Sequence, residues 1–238
     1  MSQLKTNRHK HMPQQTTEEI FFITHDKTVI EGTVFLPDEA NGSAIICLHQ
    51  LRLDRSTFFN FAETMRSRGY LVLVIDERGH GKSTNQNGEA ISYETMSDGD
   101  FNKIPGMDIE EAINMLISSY KISEGKIGLV GASIGANATL ISLGRDPRIA
   151  FGVALSPGMD YHGLQPENDV PQIQKPVLMV SSREDTYSFD STAILFNTIA
   201  SRNKEFLAFQ DLGHGTNMFE ADPSAENKII EWILKSTS

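Results

Sequence analysis

Ser133 lies in a G-x-S-x-G pentapeptide, G-A-S-I-G, between an apolar run and a segment whose apolar residues have helical spacing. This pattern is typical of a nucleophile elbow, a strained strand-to-helix turn that needs very small residues at the positions of Gly131 and Gly135. Because the turn opens a helix, the N–H of Ile134 has no intrahelical partner and is free to stabilise a developing oxyanion. The pentapeptide therefore predicts a serine nucleophile beside its own oxyanion donor.

A serine hydroxyl is a weak nucleophile at neutral pH, so it needs a general base and a group that orients that base. Asp185 follows the apolar run P-V-L-M-V, and His214 follows K-E-F-L-A-F. The carboxyl ends of parallel strands lie at the same edge of a sheet, so both side chains are expected beside Ser133. Glu184, next to Asp185, is an alternative orienting carboxylate.

The segment around Ser133 admits three other interpretations. The first is a membrane helix, because residues 127–144 carry no charge and contain the G-x-x-x-G spacing of packed membrane helices. The run is, however, shorter than the roughly 20 residues that a membrane span needs. The glycine turn has some likeness to a dinucleotide site, but it lies in the middle of the chain instead of after the first strand. The third interpretation is a tightly packed strand and helix in which the serine is inert. Only the presence of a candidate base and a candidate orienting carboxylate, His214 and Asp185, argues against it.

The composition restricts the class of partner. A formal charge of −10 argues against nucleic acid and anionic membranes, which require a basic surface, and favours a neutral or cationic small substrate. The single cysteine, Cys47, lies in an apolar run and is expected to pack in the core. The N-terminus lacks the apolar stretch of a signal peptide, so a cytoplasmic location is expected unless a signal peptide has already been removed.

Apolar periodicity predicts one α/β domain over residues 18–238, preceded by a polar and flexible extension over residues 1–17 that includes His9 and His11. A hairpin comes first, and strands and helices then alternate, including helices predicted over residues 107–120 and 190–200. This alternation predicts a doubly wound, mostly parallel sheet with an antiparallel N-terminal hairpin. Residues 83–106 and 156–175 lack clear periodicity and follow predicted strands. They are candidate walls of a substrate pocket, although they could also be plain connections.

A second motif, V-I-D-E-R-G-H-G-K-S over residues 74–83, resembles the D-x-R-G-H-G-x-S turn of α/β-hydrolase fold serine hydrolases, including esterases and relatives of dienelactone hydrolase. The resemblance extends over essentially residues 18–235 and includes the order Ser, Asp, His. It implies that Asp76, Arg78 and His80 fix this turn and do not act on substrate. The G-K-S within the motif is not a phosphate loop, because Asp76 stands where such a loop needs glycine.

The resemblance implies Ser133 as nucleophile, His214 as general base and acid, and Asp185 as the residue that orients the imidazole. The family usually has H-G-x after the third strand, where the N–H of x is the second oxyanion donor. This chain has H-Q-L, so the donor is Leu51 by alignment, with Gln50 as the alternative. Dienelactone hydrolases proper use cysteine, so their chemistry is not implied.

Together these features predict a serine hydrolase that cleaves small or medium carboxylic esters through an acyl-enzyme, with no cofactor and no metal. The short 156–175 segment leaves little room for a cap domain. The same triad would also serve a thioesterase, an acyltransferase or a small peptidase, because the fold does not determine the leaving group. A non-catalytic binding module with this fold is the alternative from another class.

Overall fold

The computed structural model describes residues 16–237, in which ten strands form one sheet. The predicted extension, with His9 and His11, lies almost wholly outside the described residues, and the division at residues 17 and 18 stays a prediction. The strands are β1 (Thr17–Ile23), β2 (Thr28–Phe35), β3 (Ala44–Leu48), β4 (Leu71–Ile75), β5 (Asn85–Gln86), β6 (Glu89–Ala90), β7 (Ile127–Ala132), β8 (Ile149–Leu155), β9 (Val177–Ser182) and β10 (Lys204–Phe209).

The sheet confirms the predicted fold class. Its strand order is β10-β9-β8-β7-β3-β4-β2-β5-β6, and β1 pairs with β2. The six strands from β10 to β4 in that order are parallel, whereas β1 and β2 form the antiparallel N-terminal hairpin and β2 joins β4 antiparallel. The carboxyl ends of β3, β4, β7, β8, β9 and β10 therefore lie along one edge.

Helices cover both faces of the sheet. They are α1 (Phe59–Arg66), α2 (Asp98–Phe101), α3 (Glu110–Tyr120), α4 (Ile134–Arg145), α5 (Thr186–Thr198), α6 (Asn217–Ala221) and α7 (Pro223–Ser236). The predicted helix over residues 107–120 differs in detail, because a π-helical segment, Ile104–Ile109, leads into α3. Helix α5 begins directly after Asp185, four residues earlier than its apolar spacing indicates. None of the helices within residues 16–237 is both long and apolar enough to cross a membrane.

The central strands are buried on both faces, which explains their continuous apolar sequences. In β3, Ile46 and Leu48 pack into the core layer beneath α3 and α4, while Ile45 and Cys47 pack into the layer beneath α1 and α7. Cys47 is 1% exposed, and burial raises the pKa of its thiol. The prediction that Cys47 is a core residue is therefore confirmed.

The second aperiodic segment is held against the helix that follows Ser133. The buried side chain of Asn137, on α4, donates to the carbonyls of Gly158 and Leu164 at 2.9 and 2.7 Å and accepts from the N–H of Gly158 at 2.9 Å. One amide thus satisfies three backbone groups of a connection that has little regular structure of its own. This fixes residues 158–164 over the carboxyl edge of the sheet.

Candidate active site

Ser133 occupies the turn between β7 and α4, with φ 55° and ψ −114°, a conformation that residues other than glycine rarely adopt. Its N–H donates to the carbonyl of Leu155 at 2.8 Å, which holds the turn to the next strand. A Cβ on Gly131 would collide with the backbone of Gly135, and one on Gly135 would lie 2.5 Å from the carbonyl oxygen of Leu48. Both glycines are therefore required by close backbone approach, as the pentapeptide predicts.

His214 and Asp185 meet at the same edge of the sheet. Nδ1 of His214 lies 2.6 Å from Oδ2 of Asp185, a distance typical of a charge-assisted hydrogen bond. Burial alone would raise the pKa of Asp185, but hydrogen bonds from His214, Ser188 and Ser156 outweigh it and hold the pKa below its ordinary value. The carboxylate therefore stays ionised and fixes the proton of the imidazole on Nδ1, which leaves Nε2 as the basic nitrogen.

Glu184, the alternative orienting carboxylate, has other partners. It accepts from the backbone N–H groups of Asp211 and Gly213 and from the hydroxyl of Ser182, each at 2.6 Å. Burial would raise its pKa, but these donors lower it to about 2. Glu184 thus binds the loop that carries His214, whereas Asp185 binds the imidazole itself.

Tyr161 lies beside His214 and reaches it through Ser188. Its hydroxyl lies 2.8 Å from that of Ser188, which is 3.4 Å from Nδ1 of His214, and its ring meets the imidazole edge-on at 6.2 Å. Burial raises the pKa of Tyr161 to about 12, partly offset by the hydroxyls of Ser188 and Ser133. Within residues 16–237 no direct hydrogen bond joins Ser133 to His214; such bonds are often long in free enzymes and shorten when substrate binds.

The loop of His214 is attached mainly through its main chain. Every residue from 211 to 216 except His214 itself donates its backbone N–H to a side chain elsewhere in the fold. The acceptors are Glu184 for Asp211 and Gly213, Ser182 for Leu212, Ser156 for Gly215 and Gln50 for Thr216. These bonds hold the backbone on both sides of the imidazole.

The two predicted oxyanion donors lie on, or directly after, segments that pack against each other. In α4, Ala136 and Asn137 donate to the carbonyl of Ser133, so the N–H of Ile134 precedes the first intrahelical hydrogen bond. The end of β3 is packed against this turn, since the carbonyl oxygens of Leu48 and His49 would lie 2.5 and 2.8 Å from a Cβ on Gly135. Leu51 follows in the next turn, and among the described residues its N–H makes no backbone hydrogen bond.

Sequence reasoning did not identify four side chains that organise the site: Gln50, Ser156, Tyr161 and Ser188. Tyr161 lies in a segment without periodicity, so only its position after β8 could have indicated proximity to Ser133. Ser156 and Ser188 follow strands β8 and β9 closely, which is a weak signal of the same kind. Gln50 was visible as a departure from the family pattern, but its contact with Thr216 was not, because the two residues are far apart in sequence.

The D-E-R-G-H-G-K-S turn is structural, as the resemblance implies. The carboxylate of Asp76 accepts from the N–H and guanidinium of Arg55 and from the N–H of Lys82 at 2.8–3.1 Å. Arg78 is 2% exposed and pairs with Asp108 and Asp26. Because buried charges must be paired, these bonds fix the turn after β4. Within residues 16–237, none of the side-chain partners of Asp76 or Arg78 is Ser133, Asp185 or His214.

Glu77 in the same turn is fully buried, and neither carboxylate oxygen has a partner within residues 16–237. Burial raises its pKa well above the ordinary value of 4.5, and the nearby Asp108 adds to the shift. The folded state therefore keeps a proton on Glu77 that the unfolded chain loses above about pH 4.5. As the pH rises from there to the pKa of the folded state, this group lowers the free energy of unfolding by up to about 1.4 kcal/mol per pH unit.

Glu77→Gln removes this titration. We expect the unfolding free energy of the variant, relative to wild type, to increase between pH 5 and pH 8, as measured by urea unfolding at both values. Glu89→Gln, which changes an exposed side chain, is the matched control and should follow wild type. Parallel pH dependence of Glu77→Gln and wild type would contradict a protonated Glu77.

A cleft of about 540 Å³ opens beside the loop that follows β3 and contains Gln50 and Leu51, called here the oxyanion loop after the predicted role of Leu51. It is lined by side chains from that loop and from both aperiodic segments: Leu51, Arg52, Tyr93, Glu94 and His162. The two segments predicted as pocket walls thus contribute to the same cleft. Within residues 16–237 no group of three or more His, Cys, Asp or Glu side chains is arranged to hold a metal ion.

Residues 40–166, slightly more than half of the chain, match the family model for serine aminopeptidase S33. An esterase from Pyrococcus furiosus has a similar structure, with a TM-score of 0.76, 20% identity and coverage of 93% of each chain. Among curated proteins, a polyketide transferase from Penicillium is 24% identical over 168 residues, which is 70% of this chain and 53% of that protein. A thiohydrolase from Arthrinium phaeospermum is 28% identical over 142 residues, or 59% and 43% respectively.

The chain spans about half the length of these two curated relatives. The family match includes the Ser133 turn and Leu51, whereas Asp185 and His214 lie beyond it. The structural likeness extends over nearly the whole chain and agrees with the sheet order described above. The chain therefore belongs to the serine aminopeptidase S33 family and has the α/β-hydrolase fold.

Proposed function

We propose that the protein hydrolyses carboxylic esters through a triad of Ser133, His214 and Asp185. The observation that carries the proposal is the 2.6 Å bond between His214 and Asp185, made at the sheet edge where the strained turn presents Ser133. A base oriented by a partly buried carboxylate next to a serine on a helix-opening turn is the arrangement that activates a hydroxyl for acyl transfer.

In this mechanism Oγ of Ser133 attacks the acyl carbon while Nε2 of His214 takes its proton. The N–H groups of Leu51 and Ile134 stabilise the oxyanion of the tetrahedral intermediate. The bond to the alcohol oxygen then breaks, and the alcohol leaves with the proton from His214. Water, deprotonated by His214, attacks the acyl-enzyme, and the released serine oxygen regains its proton as the acid departs.

The cleft supports small or medium acyl groups. Its volume of about 540 Å³ is within the range of small-molecule sites, and Leu51 and Tyr93 supply its apolar surface. The segments that border it, residues 83–106 and 156–175, contain only short helical turns and a two-residue hairpin, not a separate cap domain. This openness is compatible with ester groups that protrude from a larger molecule.

The matched relatives favour one second candidate, a thioesterase or acyltransferase with the same triad. One of them is described as a thiohydrolase and the other as a polyketide transferase. Rates on matched oxygen esters, thioesters and amides of one acyl group distinguish these activities from esterase and from peptidase. An acyltransferase would also transfer the acyl group to an added alcohol or amine in preference to water.

Labelling with a fluorophosphonate tests the nucleophile directly. Trypsin would release residues 127–145 as one peptide, which contains both Ser133 and the buried Ser142. We expect the modification on Ser133 alone, so Ser142 is a control within the same peptide. Hydrolysis of p-nitrophenyl esters, screened by acyl length, should be lost on labelling. A folded protein that is neither labelled nor active would instead favour a non-catalytic binding module.

A further inference from the structure

Gln50 stands where the H-G-x pattern has glycine, and its side chain extends from the oxyanion loop to the loop of His214. Its Oε1 accepts from the N–H of Thr216 at 2.9 Å and from the Thr216 hydroxyl at 3.2 Å. Because a backbone N–H can only donate, the carbonyl end of the amide must face Thr216. Thr216 is two residues after His214, so the contact joins two parts of the site.

The Gln50 amide also packs against Gly215, which in turn lies close to the Ser133 turn. A Cβ on Gly215 would collide with Oε1 of Gln50 and would lie 3.4 Å from the Cβ of Ala132. Gly215 follows His214, and Ala132 precedes Ser133. Gln50 is 8% exposed, so it is held in this position by packing as well as by hydrogen bonds.

The other end of Gln50 is fixed by the preceding residue. Nε2 of His49 accepts from the N–H of Glu77 at 3.0 Å, so its proton is on Nδ1, which donates to the carbonyl oxygen of Gln50 at 2.9 Å. Burial lowers the pKa of His49 to about 4, which keeps this ring neutral at physiological pH. Both the backbone and the side chain of Gln50 are therefore held, directly before Leu51.

From these contacts we infer that Gln50 is a positioning residue, which sets the distance between the oxyanion loop and the imidazole of His214 through Thr216. The inference rests on the proposed esterase function, since it assigns these two loops to one reaction. A glycine at position 50 would leave Thr216 without this acceptor. Where the family usually has a flexible glycine, this chain thus has a glutamine that rigidly links the loop of the Leu51 N–H to the loop of His214.

Gln50→Met keeps the length of the side chain but removes the acceptor. We expect kcat to fall by about 10-fold with KM within a factor of two, because misplacing the base affects the transition state more than substrate binding. Thr216→Val, which is nearly isosteric and removes one of the two donors, should lower kcat less. In the double variant it should have no further effect, because the link is already broken.

Amide hydrogen exchange tests the hydrogen bond between Gln50 and Thr216 independently of enzyme activity. The Thr216 amide should exchange faster in Gln50→Met than in wild type, by more than the change in global stability measured by urea unfolding accounts for. Wild-type kcat in Gln50→Met, additive effects in the double variant, or unchanged protection of Thr216 would each overturn the inference. If wild type itself fails to hydrolyse esters, the proposed function is wrong, while the Thr216 exchange still decides whether Gln50 holds the loop.

Discussion

Ser133→Ala is expected to reduce kcat for ester hydrolysis on the order of 10⁶-fold, with little change in substrate affinity. The substitution removes the oxygen that forms the acyl-enzyme and leaves the oxyanion donors in place, so only the residual catalysis of the binding site should remain. Steady-state hydrolysis of the best p-nitrophenyl ester, with a pre-steady-state burst measured for wild type, tests both the rate and the covalent intermediate.

The φ of 55° at Ser133 makes a second variant useful, because alanine at positive φ adds strain of its own. Ser133→Gly relieves that strain and also lacks the hydroxyl. We expect both variants to be equally inactive and the glycine variant to melt no lower than the alanine variant. Activity retained by either folded variant would exclude Ser133 as the nucleophile.

Asp185→Asn should lower kcat by about 10⁴-fold while leaving the fold intact. The amide can donate toward Nδ1 of His214, which favours the tautomer with its proton on Nε2, so the imidazole can no longer accept the proton of Ser133. Steady-state rates at saturating ester measure the loss, and fluorophosphonate labelling should slow in parallel.

Glu184→Gln is the matched comparison, since it changes the neighbouring carboxylate in the same way. Its amide can still accept from one of the N–H groups of Asp211 and Gly213 but not from both, so we expect kcat to fall by roughly 10-fold or less through misplacement of the loop. A larger loss in Glu184→Gln than in Asp185→Asn would reverse the assignment of the orienting acid.

The sequence predicts the fold class and the main strands along the chain well, because those features depend on local patterns. Continuous apolar runs such as Ile127–Ala132 are typical of strands buried on both faces, and the glycines beside Ser133 are required by backbone contacts that any such turn makes. Helix α5 begins earlier than its apolar spacing predicts, because its first turn is set by Asp185 and the strand before it.

The contacts between loops could not be predicted. The rule for parallel strands predicts Asp185 and His214 at one edge, and the family resemblance favours Asp185 over Glu184, but the residues alone do not show which carboxylate faces Nδ1. That orientation is set by the N–H groups of Asp211 and Gly213, which attract Glu184 away. The link from Gln50 to Thr216 likewise joins residues whose separation leaves no periodic signal in the sequence.

Because the His214 loop is attached through its main chain, its hydrogen bonds place few requirements on the side chains in it. Each of the bonds to Asp211, Leu212, Gly213, Gly215 and Thr216 uses a backbone N–H, which every residue type except proline supplies. The exposed side chain of Asp211 can thus change, among residues that tolerate its φ of 57°, without breaking the bonds that hold the backbone around His214. Leu212 is more restricted, because its side chain packs against the core layer beneath α1 and α7. Proline at any of these positions would remove one of the bonds, and a side chain in place of Gly215 would collide with Gln50.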